Sequence, residues 1–299
     1  MSSAPWPQAI LLNGADAAAW AHLTFPSYVR FLTDPDSSIV VVGVRAWGRP
    51  AALGLARVDG ESAEILSLYV VPDWRRQKLG TAVWKLIESE LSQRGVRSAF
   101  ATFSHPDVDV LQTFCGHCGW TAPVPSMHLV FAERWGVEGI PCFARLTGRP
   151  DWQLFPWAEL TPRERELIEA RLAAGEVPYA LNPFIDDAYF EPATSLGVRQ
   201  EGAVVGWQVN HRLAPVMHRF TATWVAAVPG SARMAMWLMG ESVRRYLAQD
   251  IPRAVMGIQA GNARMLEFFD RRLRPHMSEI RTTYRAECHF PATRTAGRA

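Results

Sequence analysis

Lysine is almost missing from this sequence. It occurs only at Lys78 and Lys85, and arginine supplies the rest of the 31 positive charges. The balance of charges is nonetheless even, at a formal +2 with 20% charged residues. No strong field therefore marks the chain for nucleic acid or an acidic membrane surface. Arginine in place of lysine is the habit of a GC-rich, bacterial coding sequence. Cysteine is also sparse: Cys115, Cys118, Cys142 and Cys288 are the only four in 299 residues. So few cannot form a disulfide framework, and a reduced, cytoplasmic protein is expected. Long apolar runs are missing too. No window approaches the 18 or so uninterrupted apolar residues of a membrane span. The opening MSSAPWPQAILLNGADAAAW has neither a basic n-region nor a long apolar core, so no signal peptide is expected.

What is present is core-forming. Hydrophobic residues make up 48% of the chain, and 299 residues suit one large domain or two of ordinary size. Residues 15–32 read as one or two short helices. The β-branched run 38–46 and the stretch 51–59 read as a hairpin around WGRP, and 61–71 as a third strand ended by Pro72. Val83, Trp84, Ile87 and Leu91 have helical spacing, and Gly95 is a natural stop. A strand at 97–104, a helix at 107–119 and a strand at 125–133 complete the first half. Residues 134–150 show no period and read as a linker.

A similar order then repeats. A strand is expected near 151–160 and a helix over 161–175, with Thr161 as N-cap and Pro162 in the first turn. A proline-rich loop covers 177–195. Strands follow at 204–213 and 218–228, a helix at 231–250, a strand at 253–259, a helix at 262–273 and a strand at 278–287. The chain reads as an internal duplication with little identity left between the copies. The expected boundaries are a first domain over 1–135, a linker over 136–150 and a second domain over 151–299.

The most informative segment is LYVVPDWRRQKLGTA, residues 68–82. A strand ends at a proline, a basic loop follows, and a helix opens at Gly80-Thr81. A helix N-terminus offers free N–H groups and the positive end of a dipole. Gly80 permits close approach of a ligand, and Arg75, Arg76 and Lys78 add donors and charge. Together these make an anion site suited to a pyrophosphate. The bland alternative is a solvated basic turn.

This segment resembles motif A of the GNAT superfamily of acyl-CoA-dependent N-acyltransferases. That motif is an apolar strand ending Leu-Tyr-Val-x-Pro, two residues, then Arg/Gln-x-x-Gly-x-Gly/Ala and a helix. Here it runs Leu68-Tyr69-Val70-Val71-Pro72, Asp73-Trp74, then Arg75-Arg76-Gln77-Lys78-Leu79-Gly80. Lys78 replaces the first glycine, so the loop is expected to avoid positive φ there. The resemblance covers residues 10–133. The second half resembles the fold in topology only, and its loop VPGSARMA lacks the motif. The implied architecture is α/β (a mixed α+β sheet): two tandem GNAT-like domains, each a mostly antiparallel mixed sheet flanked by helices.

The resemblance implies a site for acetyl-CoA or another acyl-CoA. Val71 and its neighbour would bond the pantetheine arm. The amides of Arg76, Gln77, Lys78, Leu79, Gly80 and Thr81 would hold the pyrophosphate. A splay ending near Val70 and Ala101–Phe103 would admit the thioester. The reaction implied is acyl transfer to an amine by direct attack, the acceptor being a small-molecule amine or a carrier-bound substrate. No metal, nucleic acid or membrane is implied, and the protein could be a monomer or a homodimer. Two rivals are S-acyl transfer or decarboxylation on a carrier protein, and acyl-CoA binding without catalysis.

FCGHCGW, residues 114–120, contains the Cys-Gly-His-Cys of disulfide isomerases. In those proteins the tetrapeptide opens a helix, whose dipole activates the first thiol. Here it closes one, where the dipole opposes a thiolate. Two cysteines and a histidine are also too few for a structural zinc site. The run instead resembles the GNAT helix ending Leu-Tyr-x-x-x-Gly-Phe. Cys115 then falls where the family's general acid, a tyrosine, stands. The alternative is a small buried residue. Tyr69, Ser104 and His105 are further candidates for the acid, and Glu64 and His105 for the base. For each the alternative is an ordinary exposed polar side chain.

A few other residues stand out. Trp47, Trp74, Trp84 and Trp120 read as core or ligand-wall aromatics. His211 and His218 read as surface histidines more readily than metal ligands. Asp186-Asp187 with Glu191 reads as a solvated loop, and Asn262 as a helix N-cap. The segments 134–150 and 177–195 are expected to line the acceptor site.

Overall fold

The computed structural model describes residues 8–33, 36–104, 108–144 and 146–290. The chain falls into two compact units, residues 1–126 with 283–299, and residues 127–282. Among the described residues no helix is long and apolar enough to cross a membrane.

The first unit begins with β1 (Ala9–Leu11), α1 (Ala15–Ala18) and α2 (Arg30–Thr33). Then come β2 (Ile39–Ala46), β3 (Arg49–Asp59), β4 (Ser62–Val70), α3 (Leu79–Gln93), β5 (Ser98–Phe103) and α4 (Val108–His117). β1 to β4 form an antiparallel meander, and β5 joins β4 in parallel. Residues of β2 alternate between the two faces, as a strand requires. Val40, Val42 and Val44 pack under α3 with Val83, Trp84, Ile87 and Leu91. Ile39 and Val41 face the other way, toward Trp20 and Leu32. The approach of α3 depends on Gly54, where a Cβ would lie 2.5 Å from Val83 and 2.7 Å from Ile87.

The second unit starts within β6 (Val124–Glu133) and continues through α5 (Arg134–Glu138) and α6 (Pro141–Ala144). It then holds β7 (Gln153–Pro156), α7 (Pro162–Ala173), β8 (Leu196–Gln200), β9 (Ala203–Ala214) and β10 (Met217–Val225). α8 (Ser231–Leu247), β11 (Arg253–Gln259), α9 (Ala263–Phe268) and β12 (Glu279–His289) follow. A wider, π-helical turn, Phe269–Leu273, extends α9. α7 starts as expected: Thr161 and Glu164 form a reciprocal capping box.

The duplication extends to irregularities. β7, β8, β9 and β10 are antiparallel and β11 joins β10 in parallel, which is the pattern of β1 to β5. β3 carries an extra residue at Ala51, β4 at Leu66, β9 at Val205 and β10 at Thr221, each marked by a register shift. The matching bulges also make matching bonds. Val71 N–H donates to Ala51, and Ala226 N–H to Val205.

The last strand of each unit comes from the other part of the sequence. Tyr284–His289 of β12 pairs with β5, and Met127–Glu133 of β6 pairs with β11. The units therefore depart from the division expected at 135 and 151. Three further differences from the sequence reading have simple causes. β1 and β8 are too short for a period to show. The segment 134–150 is not a linker: α5 and α6 carry Val137, Ile140 and Phe143 into the core of the second unit against Val243 and Tyr246. Phe143 seats its carbonyl 3.0 Å from where a Cβ on Gly240 of α8 would be.

A chain ending at Thr282 would leave β5 without its outer partner and remove Cys288 and Phe290 from the core of the first unit. Loss of a buried aromatic alone costs about 3–5 kcal/mol. We expect the truncated chain to lose the near-ultraviolet dichroism and a thermal transition belonging to the first unit.

Candidate active site

The site is built on the place where two strands part. The extra residue Leu66 breaks the register of β4. β4 and β5 are paired only from Ser62/Ser98 to Ile65/Ala101, although β4 runs on to Val70 and β5 to Phe103. Beyond that point both strands turn unpaired backbone toward a common opening. Because Val71 gives its N–H to Ala51, alternation along β4 directs the amides of Leu68 and Val70 into the opening. The expectation for Val71 is thereby corrected: its amide belongs to the sheet.

Directly after β4 the chain makes one turn of 3-10 helix, Pro72–Trp74, and enters α3. Arg76 has φ +63 and Lys78 φ +59. The sequence expectation that lysine would forbid the left-handed conformation is wrong: the loop keeps it, and Lys78 carries the steric cost of about 1 kcal/mol. Alternating signs of φ gather consecutive N–H groups into a concave nest. The amides from Arg76 to Thr81 donate to no acceptor among the described residues. They converge with the dipole of a 15-residue helix. Gly80 lies on the wall of the opening, where a Cβ would sit 3.5 Å from Leu68, Val70 and Phe114. Arg75 does not reach out fully. Its Nε donates to the Val70 carbonyl at 3.1 Å, and its guanidinium lies 5.8 Å from the Tyr69 ring centre. Gln77 bonds the Asp73 carbonyl, and the Thr81 hydroxyl faces Cys118. Leu79 is buried under the sheet, so only its backbone is available.

Glu64 stands on the sheet face opposite α3, two positions before the bulge. Its Oε2 is held by Arg57 Nη2 at 2.6 Å, and Oε1 accepts from no described residue. Tyr28 packs close by; burial and the Glu64 charge together push its hydroxyl pKa up. Phe100 of β5 lies in register beside Glu64. His105 lies outside the described residues. Ser104 is exposed at the end of β5.

Cys115 and Cys118 sit in and just after the last turn of α4, which ends in a Schellman pattern: Trp120 N–H reaches the Cys115 carbonyl across Gly119, at φ +75. Both thiols are buried. Burial, with the neighbouring Cys118, pushes Cys115 up to about 11. Neither thiol is activated. Trp84 and Trp120 pack over this corner with ring centres 4.7 Å apart and planes tilted by 58°, and Trp74 is half-buried against the same core. Trp47 departs from expectation: it is 81% exposed at the tip of the β2–β3 hairpin.

These features match known proteins. Residues 6–119 match the profile of the acetyltransferase (GNAT) family. That match spans the first part of the chain, and the whole chain shares its fold with tandem GNAT proteins. A tandem GNAT protein from the clavulanic acid biosynthesis pathway superposes with a TM-score of 0.64 at 15% identity, covering 96% of this chain and 100% of that one. A GCN5-related N-acetyltransferase from Sphaerobacter thermophilus gives 0.64 at 16%, covering 96% and 97%. A glucosamine N-acetyltransferase region of a fungal multi-domain enzyme gives 0.66 at 11%, covering 97% and 38%. At these identities the likeness is one of fold. No curated protein matches the sequence.

The second unit keeps the opening and changes what surrounds it. β10 and β11 pair only from Met217/Arg253 to Phe220/Met256. Its loop is short: Ala226 is four residues from Gly230, whereas Val71 is seven from Lys78. Gly230 enters α8 at φ +86, and Trp152 and Arg149 close over it at 3.6 and 3.8 Å from a would-be Cβ. The position matching Glu64 is Arg219, paired with Asp186 at 2.6 Å. The acidic run is therefore not simply solvated, and Glu191 is buried. Asn262 is an N-cap, accepting from Met265.

His211 and His218 also depart from the sequence reading, for both are buried inside strands. Among the described residues no cluster of three or more His, Cys, Asp or Glu could hold a metal. His218 packs on Phe220 and Tyr246 with no hydrogen bond to either ring nitrogen. Burial, with Arg212 and His211 adding, depresses it from 6.5 to about 3. A depressed histidine must stay neutral in the fold, whereas the unfolded chain takes the proton. Stability is thus complete above pH 6.5 and falls as pH drops toward 3. The slope is about 1.4 kcal/mol per pH unit. We expect His218→Phe to flatten this fall in urea titrations between those limits.

The thiols give a second test. Cys115 should react with a disulfide reagent at pH 8 about a hundredfold more slowly than a free cysteine, because so little of it is thiolate. Fast labelling, or a Cys115–Cys118 disulfide under mild oxidation, would revive the redox reading.

Proposed function

We propose that the first GNAT unit is an acyl-CoA-dependent N-acyltransferase, transferring an acetyl group to a small-molecule amine. One observation carries the reading: a row of unpaired amides, Arg76 to Thr81, opens directly onto a strand pair that has parted. The residues fit the cofactor. The nest and the α3 N-terminus suit a pyrophosphate, with Arg76 and Lys78 exposed beside them. The amides of Leu68 and Val70 suit the peptide-like groups of an extended pantetheine arm. Bound there, acetyl-CoA supplies an activated acyl carbon to a nucleophilic amine.

The chain's own residues then have definite tasks. Glu64 takes a proton from the incoming ammonium at Oε1, the oxygen that Arg57 leaves open. Arg57 fixes the carboxylate, and Tyr28 shields it from water. Cys115 has no part in proton transfer; it packs the end of α4. That last point also favours a second reading, an acyl-CoA-binding protein without turnover, since the residue in the family's acid position is a buried, neutral thiol.

Calorimetric titration with acetyl-CoA and CoA tests the first step. We expect micromolar binding that Arg75→Ala/Gly80→Trp abolishes, because an indole at residue 80 fills the opening. Thiol release across an amine panel tests the second, and Glu64→Gln should lower kcat about a hundredfold or more with the acetyl-CoA affinity kept. Binding without thiol release from any amine would leave the binding-protein reading.

A further inference from the structure

The strand that completes the first unit brings side chains as well as backbone. In β12, Glu287 is in register with Phe100, as Glu64 and then Arg57 are on the following strands. Arg57, Glu64, Phe100 and Glu287 thus form a row across four strands on the face opposite α3. Arg285 is two residues along β12 on the same face. Its guanidinium lies over the Phe100 ring, with Cζ 3.8 Å from the centroid. Glu287 holds its Nε at 2.8 Å. Nη1 and Nη2 donate to no described residue, and the side chain is 39% exposed.

This is a prepared fork. Stacking on an aromatic ring and a fixed Nε remove most of the freedom that an exposed arginine has. What remains free is the Nη1–Nη2 edge, whose two parallel N–H groups match the two oxygens of a carboxylate. Phe100 is one strand, about 4.8 Å, from Glu64, and the fork sits over its ring, so it lies within about 10 Å of Glu64. One small molecule can therefore place an amine at Glu64 and an acid at Arg285. Glu287 already offsets much of the arginine's charge, which favours a monoanion over a phosphate dianion.

We propose that Arg285 selects the acceptor: the amine acylated by the first unit carries a carboxylate, as an amino acid does. This rests on the acyltransferase reading. The experiment compares amino acids with their carboxamides and with the matching aminophosphonates, using acetyl-CoA and thiol release. The best acid is also titrated calorimetrically into CoA-saturated protein. We expect kcat/KM for acids to exceed that for carboxamides by about 10- to 100-fold, the worth of one charge-assisted pair. In Arg285→Ala that ratio should fall to about one and the heat of acid binding should vanish, with acetyl-CoA affinity unchanged. Arg285→Lys, which keeps the charge and loses the fork, should fall between. Equal or better turnover of carboxamides, a preference for phosphonates, or an acid preference that survives Arg285→Ala would overturn the proposal. So would acetyl-CoA binding with no turnover of any acid. Failure to bind acetyl-CoA at all would instead remove the acyltransferase reading beneath it.

Discussion

One extra residue in β4 organises the first unit. With Leu66 inserted, β4 cannot keep both its neighbours in register, and it keeps β3. The ladder to β5 ends at Ile65 and Ala101. Unpaired strand backbone is costly when buried and useful when a ligand can complete it. The loop continues the same economy of backbone groups. Arg76 and Lys78 hold left-handed conformations without being glycine, so the strain stays local while the amides stay aligned. Recognition at this site is mostly a property of main chain. That is why a sequence with Lys78 in place of the motif glycine can keep the geometry.

The second unit separates what the fold requires from what the chemistry requires. It repeats the bulges, the parallel pair and the parting of strands. It does not repeat the long basic loop or the carboxylate on the bulged strand. Arg219 is at that position instead, and Asp186 satisfies it. Residues 147–152 occupy the helix end that the longer loop would have framed: Arg233 donates to the Thr147 carbonyl, and Trp152 packs on Trp237 at a 33° tilt. The bulges survive because they set the twist and the core. Neither the loop nor the carboxylate is needed for that core, and neither is kept.

How much of this can be read in the sequence follows from how local each feature is. The loop and helix at 72–93 are legible because proline, glycine and the period of Val83, Ile87 and Leu91 are all near neighbours. The end of α4 is legible for the same reason: Gly119 and Trp120 fix a helix stop that four cysteine-motif letters could not overrule. The fate of the Val71 amide was not legible, since strand alternation can be phased only after the bulges at Ala51 and Leu66 are known. The conformation of Lys78 was misread because steric preference yields to the surrounding fold. The burial of His211 and His218 was misread because histidine's usual exposure is a weak guide inside two long strands. The pairing of β12 had no local signal at all. It joins residues about 185 positions apart, and nothing in SEIRTTYRAE names its partner.

That long-range pairing has a functional consequence. The first unit contains the loop of unpaired amides near residue 78, yet its last strand and the Arg285 fork come from the far end of the chain. Its contacts are of high sequence separation, so loop closure opposes its formation until the chain is whole. The loop, the parted strands and Glu64 can be specified early. Phe100 gains its stacked arginine, and the acceptor face its fourth strand, only when β12 docks. On the proposed reading, cofactor recognition and the Arg285 contact to the acceptor are thus written in different parts of the sequence. Under that proposal, an acceptor preference can drift by substitutions in β12 without disturbing the loop at residues 72–81.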